Sequence, residues 1–128
     1  VLAGFLWKVP EVLVNAYQPG MKIDASVVNG KVNTARGIIN IHPALLPKYG
    51  GKGMYGMFVH NAVKANNESE TGITIHYVNE NYDEGAIIFQ AKTALSSEDT
   101  PDTIAAKIHV LEQKHFPKII EEVILKNE

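Results

Sequence analysis

The stretch IINIHPALLPKYGGKG, Ile38 to Gly53, runs from an apolar strand into a loop rich in proline and glycine, with an Asn-x-His-Pro at the turning point. The β-branched isoleucines suit a pleated, buried surface, so the stretch opens as a strand. Successive side chains on a strand point to opposite faces, so Asn40 and His42 share one. An amide donor beside an imidazole suits a reaction that develops an oxyanion and moves a proton. A strand end whose polar residues merely cap the next turn has the same spacing. Pro43 and Pro47 stiffen the loop beyond the strand, which fits either reading.

Outward from this stretch the pattern is that of an α/β domain. VLAGF (Val1 to Phe5) reads as the end of a buried strand with a turn at Gly4, and PEVLVNAY (Pro10 to Tyr17) as a short helix with proline at its first position. Asn29-Gly30, flanked by Val27-Val28 and Lys31-Val32, is a hairpin turn signal. Met54 to Asn66 is compatible with a helix despite Gly56, with Met54, Phe58, Val59, Ala62 and Val63 toward the core. Thr71 to Val78 and Gly85 to Leu95 read as neighbouring antiparallel strands joined by a functional loop, NENYDE. Thr100, Pro101 and Asp102 form a helix start, and Ile104, Ile108, Leu111, Phe116, Ile119, Ile120, Val123 and Ile124 follow at helical spacing. Pro117 is expected to kink or split that helix. The sheet is expected to be mixed, with ligands at the strand ends.

The totals narrow the function. The 128 residues suit one domain, and a net charge of −2 gives no basic footprint for nucleic acid. Cysteine is absent, which excludes disulfides, thiolate catalysis and cysteine-based zinc sites and fits a reducing, cytoplasmic setting. No apolar run approaches the roughly 18 residues that would suggest a membrane span, and no signal peptide is apparent. The histidines show no metal-ligand spacing. Asn79, Asn81 and Asp83 alternate as in a calcium loop, but the glycine falls one place late and the twelfth position is Gln90, so no metal is expected. On spacing alone the Asn79–Asp83 segment reads as a solvated acidic turn.

Taken together, NIHPALLPKYGG (Asn40 to Gly51), GITIHYVNENYDEGAIIFQ (Gly72 to Gln90) and VLAGF resemble the C-terminal, catalytic half of the phosphoribosylglycinamide formyltransferases. These are folate enzymes of purine biosynthesis within the wider formyltransferase family. The resemblance covers Val1 to Gln18 and Gly37 to the end of the chain. It implies a partial Rossmann-like formyltransferase fold, residues 1–128 being one partial domain whose N-terminal half, with its phosphate-binding glycine loop, is missing. A hairpin-like insertion at about 21–36 is atypical of the family.

The resemblance also implies transfer of a formyl group from the co-substrate 10-formyltetrahydrofolate to the amine of glycinamide ribonucleotide, without a metal. Asn40, His42 and Asp83 match the family's catalytic residues, and Glu112 matches the one that contacts the ribonucleotide. Phe5, Leu6, Trp7, Lys8 and Val9, with Asn79, Glu80, Asn81 and Tyr82, would line the pterin pocket. The implied partners are small-molecule substrates, with a missing N-terminal half or a second copy of the chain completing the fold, and neither nucleic acid nor membrane. The alternatives are a formyltransferase acting on another amine, such as an amino sugar, and a folate-binding or assembly fragment without turnover.

Overall fold

The computed structural model describes residues 31–34, 37–78 and 84–125. The expected VLAGF strand, the Pro10–Tyr17 helix and the Asn29-Gly30 turn lie outside the described residues. Within them, β1 (Lys31–Thr34), β2 (Gly37–His42), β3 (Glu70–Tyr77) and β4 (Ile87–Ala94) form one sheet in the order β1-β2-β3-β4. Helix α1 (Met57–Ala65) links β2 to β3, and α2 (Pro101–Leu125) follows β4. Every described pairing is antiparallel, so a parallel pairing of the expected mixed sheet would have to involve residues outside those described. No helix among the described residues is long and apolar enough to cross a membrane.

β1 is a strand the sequence pattern does not isolate. It closes a hairpin on β2 from Thr34 opposite Gly37 to Lys31 opposite Asn40, so residues 31–34 of the segment at about 21–36 belong to the sheet. Pairing there satisfies backbone groups that β2 would otherwise leave open on that edge.

Strand alternation divides β2 into an apolar and a polar face. Ile39 and Ile41 turn one way and, with Ile73 and Ile75 of β3, join a buried cluster with Val59 and Val63 of α1 and Ile104, Ile108, Phe116, Ile120 and Val123 of α2. This cluster is the core, and each such side chain contributes on the order of 1.5–3 kcal/mol when fully buried.

The helices depart from expectation in three places. α1 begins at Met57 rather than Met54, because Gly56 adopts φ 54°, a left-handed conformation that glycine accepts without steric penalty. With the buried stripe set by Val59 and Val63, Phe58 lies one residue off it, 55% exposed, in edge contact with Tyr55 rather than in the core. Pro117 does not split α2, which runs as one 25-residue helix. An interior proline costs roughly 3 kcal/mol. Ile119, Ile120 and Val123 are all buried beyond it, and their burial outweighs that cost.

The start of α2 is held as the sequence suggests, with an addition. Thr103 N donates to Thr100 Oγ1 at 3.2 Å while Thr100 N donates to Thr103 Oγ1 at 2.8 Å, a reciprocal cap of two orphan donors. Buried Asp99 accepts from Ser96 N, Thr103 Oγ1 and Lys107 Nζ, each at 2.8 Å. The Lys107 bond, then those from Ser96 and Thr103, hold its carboxyl well below the ordinary value of 3.8. A depressed carboxyl stabilises the fold above its unfolded value and loses that contribution as the pH falls toward the folded one. Asp99→Ala should therefore lower the melting temperature at neutral pH, with the gap to the parent narrowing as pH falls below 3.8. Melting curves with a gap constant from neutral to strongly acid pH would refute this role.

Candidate active site

The polar face of β2 meets a polar face of β3. Asn40 lies opposite His76 and His42 opposite Thr74, so all four side chains emerge on one side of the sheet. All are buried: Asn40 is 8%, His42 3%, Thr74 0% and His76 2% exposed. His76 Nδ1 lies 2.9 Å from the Tyr77 carbonyl, which can only accept, so Nδ1 carries the proton. In the neutral ring Nε2 is then an acceptor, and Asn40 Nδ2 donates to it at 3.0 Å. This bond sets which end of the Asn40 amide faces His76 and leaves a second N–H on the same nitrogen. A register irregularity beside His76, between Ile75 and His76, alters the local twist of β3 against β4.

Thr74 anchors the loop that leaves His42. Its hydroxyl donates to the Ala44 carbonyl at 2.8 Å and accepts from Leu46 N at 3.0 Å and Gln90 Nε2 at 2.9 Å, which fills its capacity. Gln90 Nε2 also lies 3.1 Å from the Leu46 carbonyl. The abrupt passage from strand to proline loop is thus tied to both later strands. His42 Nε2 itself donates to the Tyr49 carbonyl at 2.7 Å.

Beyond the end of β2, Ile41 and Pro43 floor an open cleft of about 420 Å³ between α1 and α2. Two buried titratable groups line it, His60 on α1 at 5% and Glu112 on α2 at 0% exposure. Among the described residues neither Glu112 oxygen nor His60 Nδ1 has a hydrogen-bond partner, although His109 Nε2 approaches Glu112 Oε1 to 3.9 Å. Burial pushes Glu112 up to about 8. Burial, reinforced by the nearby His109 and His42, pushes His60 down to about 4. Buried polar groups without partners at a cleft wall are what a ligand with matching polar groups would satisfy.

The structure thus brings Asn40 and His42 together on one face, whereas Glu112 lines the cleft on the Ile41 side of the sheet, beyond the strand end. Asp83, the segment Phe5–Val9 and the segment Asn79–Tyr82 lie outside the described residues. The flank of the Asp83 loop is described at Gly85, where an added Cβ would collide with the Tyr77 carbonyl oxygen, so only glycine permits this close return of the chain. Sequence reasoning missed Thr74, His76 and His60. The period-two argument that joins Asn40 to His42 applies equally to Thr74 and His76 and would have found them. Among the described residues no group of His, Asp and Glu side chains is placed to hold a metal ion.

Comparison with known proteins gives a consistent picture. The family profile described as "Formyl transferase" matches residues 25–120. Phosphoribosylglycinamide formyltransferase of Arabidopsis thaliana, a chloroplastic protein, is 40% identical over 94% of this chain and 35% of its own length. The Bacillus subtilis protein of that name is 36% identical over 96% of this chain and 52% of its own. The chain therefore spans about half or less of these relatives. Among solved structures, the phosphoribosylglycinamide formyltransferase of Bacillus halodurans superposes with a TM-score of 0.62 at 36% identity, over 70% of this chain and 44% of that one. An N-formyltransferase of Helicobacter canadensis, solved with folinic acid and dTDP-3-aminofucose, also reaches 0.62, at 30% identity over 69% of this chain and 31% of its own.

The titration of His60 makes a separate expectation. Its folded value lies below its ordinary 6.5, so between 6.5 and about 4 the unfolded chain binds a proton that the folded chain refuses. Stability should fall as pH drops through that window, and His60→Leu should flatten the slope. Urea midpoints measured across it test this; parallel slopes in parent and variant would refute it.

Proposed function

The chain belongs to the formyl transferase family, and we propose that it supplies the catalytic strand end of an enzyme that moves a formyl group from 10-formyltetrahydrofolate to the amine of glycinamide ribonucleotide. The observation that carries this reading is the Asn40 amide, held by His76 on the face it shares with His42. In the proposed reaction the amine lone pair attacks the formyl carbon and the carbonyl π pair moves onto oxygen. The tetrahedral adduct then collapses, expelling the folate nitrogen, which takes up a proton while the former amine loses one. The second N–H of Asn40 donates to the oxyanion. A preorganised donor of this kind is worth on the order of 3 kcal/mol.

In the same proposal His42, protonated or sharing a proton, is the second donor, and Asp83 holds it in its working protonation state and assists proton transfer from the attacking amine. Phe5–Val9 and Asn79–Tyr82 form the pterin pocket. Glu112 contacts the ribonucleotide, which agrees with a buried carboxylate that lacks hydrogen bonds in a cleft beside the strand end. The substrates are small molecules throughout, and the formyl donor is a co-substrate.

The test is a formyl-transfer assay on the protein, with glycinamide ribonucleotide and an amino-sugar nucleotide in parallel. Transfer to the ribonucleotide is expected; transfer to the amino sugar alone would replace this reading with the second one, for which the Helicobacter likeness is the precedent. Asn40→Ala and His42→Ala should each lower kcat on the order of 10²-fold or more while the protein stays folded. Near-parental turnover in both would overturn their roles. Asp83→Asn should lower the rate and change the shape of the pH–rate profile.

Glu112 supports a further prediction. Held up to about 8, it is mostly protonated at neutral pH, and a substrate that brings donors to it favours its ionised form. Binding of glycinamide ribonucleotide should then release a proton, visible as a buffer-dependent heat in calorimetry. Glu112→Gln should abolish that release and raise KM more than it lowers kcat. A release unchanged in Glu112→Gln would place its source elsewhere.

A further inference from the structure

His42 is held at Nε2 by a residue seven positions later, and that residue is itself anchored from the far end of α1. Tyr49 sits at φ 58°, a left-handed conformation in which a residue with a Cβ is uncommon and holds only when its surroundings over-determine it. In this conformation its carbonyl accepts the Nε2–H of His42 at 2.7 Å. Its phenol donates to Glu68 Oε2 at 2.6 Å, and its ring packs against the core cluster.

Glu68 is in turn fixed by the way α1 ends. Asn67 adopts φ 52°, Asn67 N donates to the Lys64 carbonyl at 3.0 Å, and Glu68 N donates to the Val63 carbonyl at 3.4 Å. These bonds are those of a helix terminated by a left-handed residue, with the next residue folded back over the last turn. The Glu68 carboxylate therefore stands at a place set by helix termination. The Tyr49 hydrogen bond holds Glu68 below the ordinary carboxyl value, and burial, with that same bond, pushes Tyr49 up to about 12. Lys48 Nζ approaches Glu68 Oε2 at 3.3 Å, but its side chain is 69% exposed and adds little.

We infer that Tyr49 and Glu68 are positioning residues for His42, a latch that runs from the end of α1 through the Tyr49 phenol to its carbonyl and fixes the imidazole with its proton on Nε2. The inference rests on the proposed role of His42 for its kinetic consequence, but not for its structural one. Two ring nitrogens compete for one proton in neutral imidazole, and an acceptor fixed at Nε2 favours the proton on that nitrogen. With the latch intact, Nδ1 is the nitrogen that serves as acceptor, or gains the second proton, on the side away from Tyr49. Without it, a left-handed tyrosine loses the bond that holds it there and its carbonyl drifts from the ring.

Tyr49→Phe removes the hydroxyl and keeps the packing ring. Glu68→Ala removes the acceptor, whereas Glu68→Gln retains an oxygen that can accept from the phenol. Tyr49→Phe and Glu68→Ala should each lower kcat about 10-fold with both KM values unchanged. The double variant should be no slower than either single one, because both cut the same unit. Glu68→Gln should restore most of the rate. The deciding readout is the two-bond ¹⁵N–¹H spectrum of His42, assigned by its loss in His42→Gln. Recorded at a pH where the ring is neutral, it should show one Nε2–H tautomer in the parent and in Glu68→Gln, and a tautomer mixture in Tyr49→Phe and Glu68→Ala. An unchanged tautomer in Tyr49→Phe overturns the latch, whatever the kinetics. A mixture in Tyr49→Phe supports it even if the parent shows no formyl transfer, an outcome that would overturn the functional reading instead.

Discussion

A slip of one residue between β2 and β3 would turn Asn40 and His42 toward the helices and bury Ile39 and Ile41 on the wrong side of the sheet. The observed register avoids this by setting Ile41 opposite Ile75 and Asn40 opposite His76. Core and site are thereby specified together. The isoleucines gain their burial against α1 and α2 only in the register that also gives the Asn40 amide its His76 partner. Either set alone would favour this pairing, and the two agree.

The hydrogen bonds around the strand end extend this agreement into the loop. Thr74 and Gln90 bind the backbone at Ala44 and Leu46, and Tyr49 binds His42 from further along the same loop. A segment rich in proline and glycine would otherwise carry unsatisfied backbone groups into a buried region. Here the side chains that satisfy them come from β3 and β4, elements that form only when the sheet is complete. Site geometry is therefore coupled to the fold as a whole as well as to the local sequence of the loop.

That coupling explains what could and could not be read in the sequence. The antiparallel strand pair, the cap at Thr100 and the buried stripe of α2 at Ile104, Ile108, Phe116, Ile119, Ile120 and Val123 follow from local periodicity and capping chemistry, and these are observed. Asn40 and His42 were legible because alternation along one strand needs no tertiary information. The start of α1 after Gly56 was not, because it turns on a backbone torsion of that glycine. Neither were the outward turn of Phe58 and the passage of α2 through Pro117, which are decided by packing against other elements. Glu112 reads on spacing as an ordinary helical charge, and only burial against the cleft distinguishes it. The carbonyl of Tyr49 is invisible to side-chain reasoning, since its direction depends on a backbone torsion.

The cleft itself shows how such a protein can hold ionisable groups in an apolar place. A charge there without a partner is penalised by lost solvation, and the lowest-energy response is to stay neutral. His60 and Glu112 reach neutrality from opposite sides, one kept deprotonated and the other kept protonated at neutral pH. The cleft can therefore fold with two titratable walls and little net charge between them. It retains unspent hydrogen-bonding capacity at His60 Nδ1 and at both Glu112 oxygens. An apolar ligand would leave that capacity buried and unmet. A ligand carrying donors and an acceptor at the right spacing would satisfy it and draw the Glu112 proton off. The burial that makes these two residues unusual therefore disfavours an apolar occupant of the cleft.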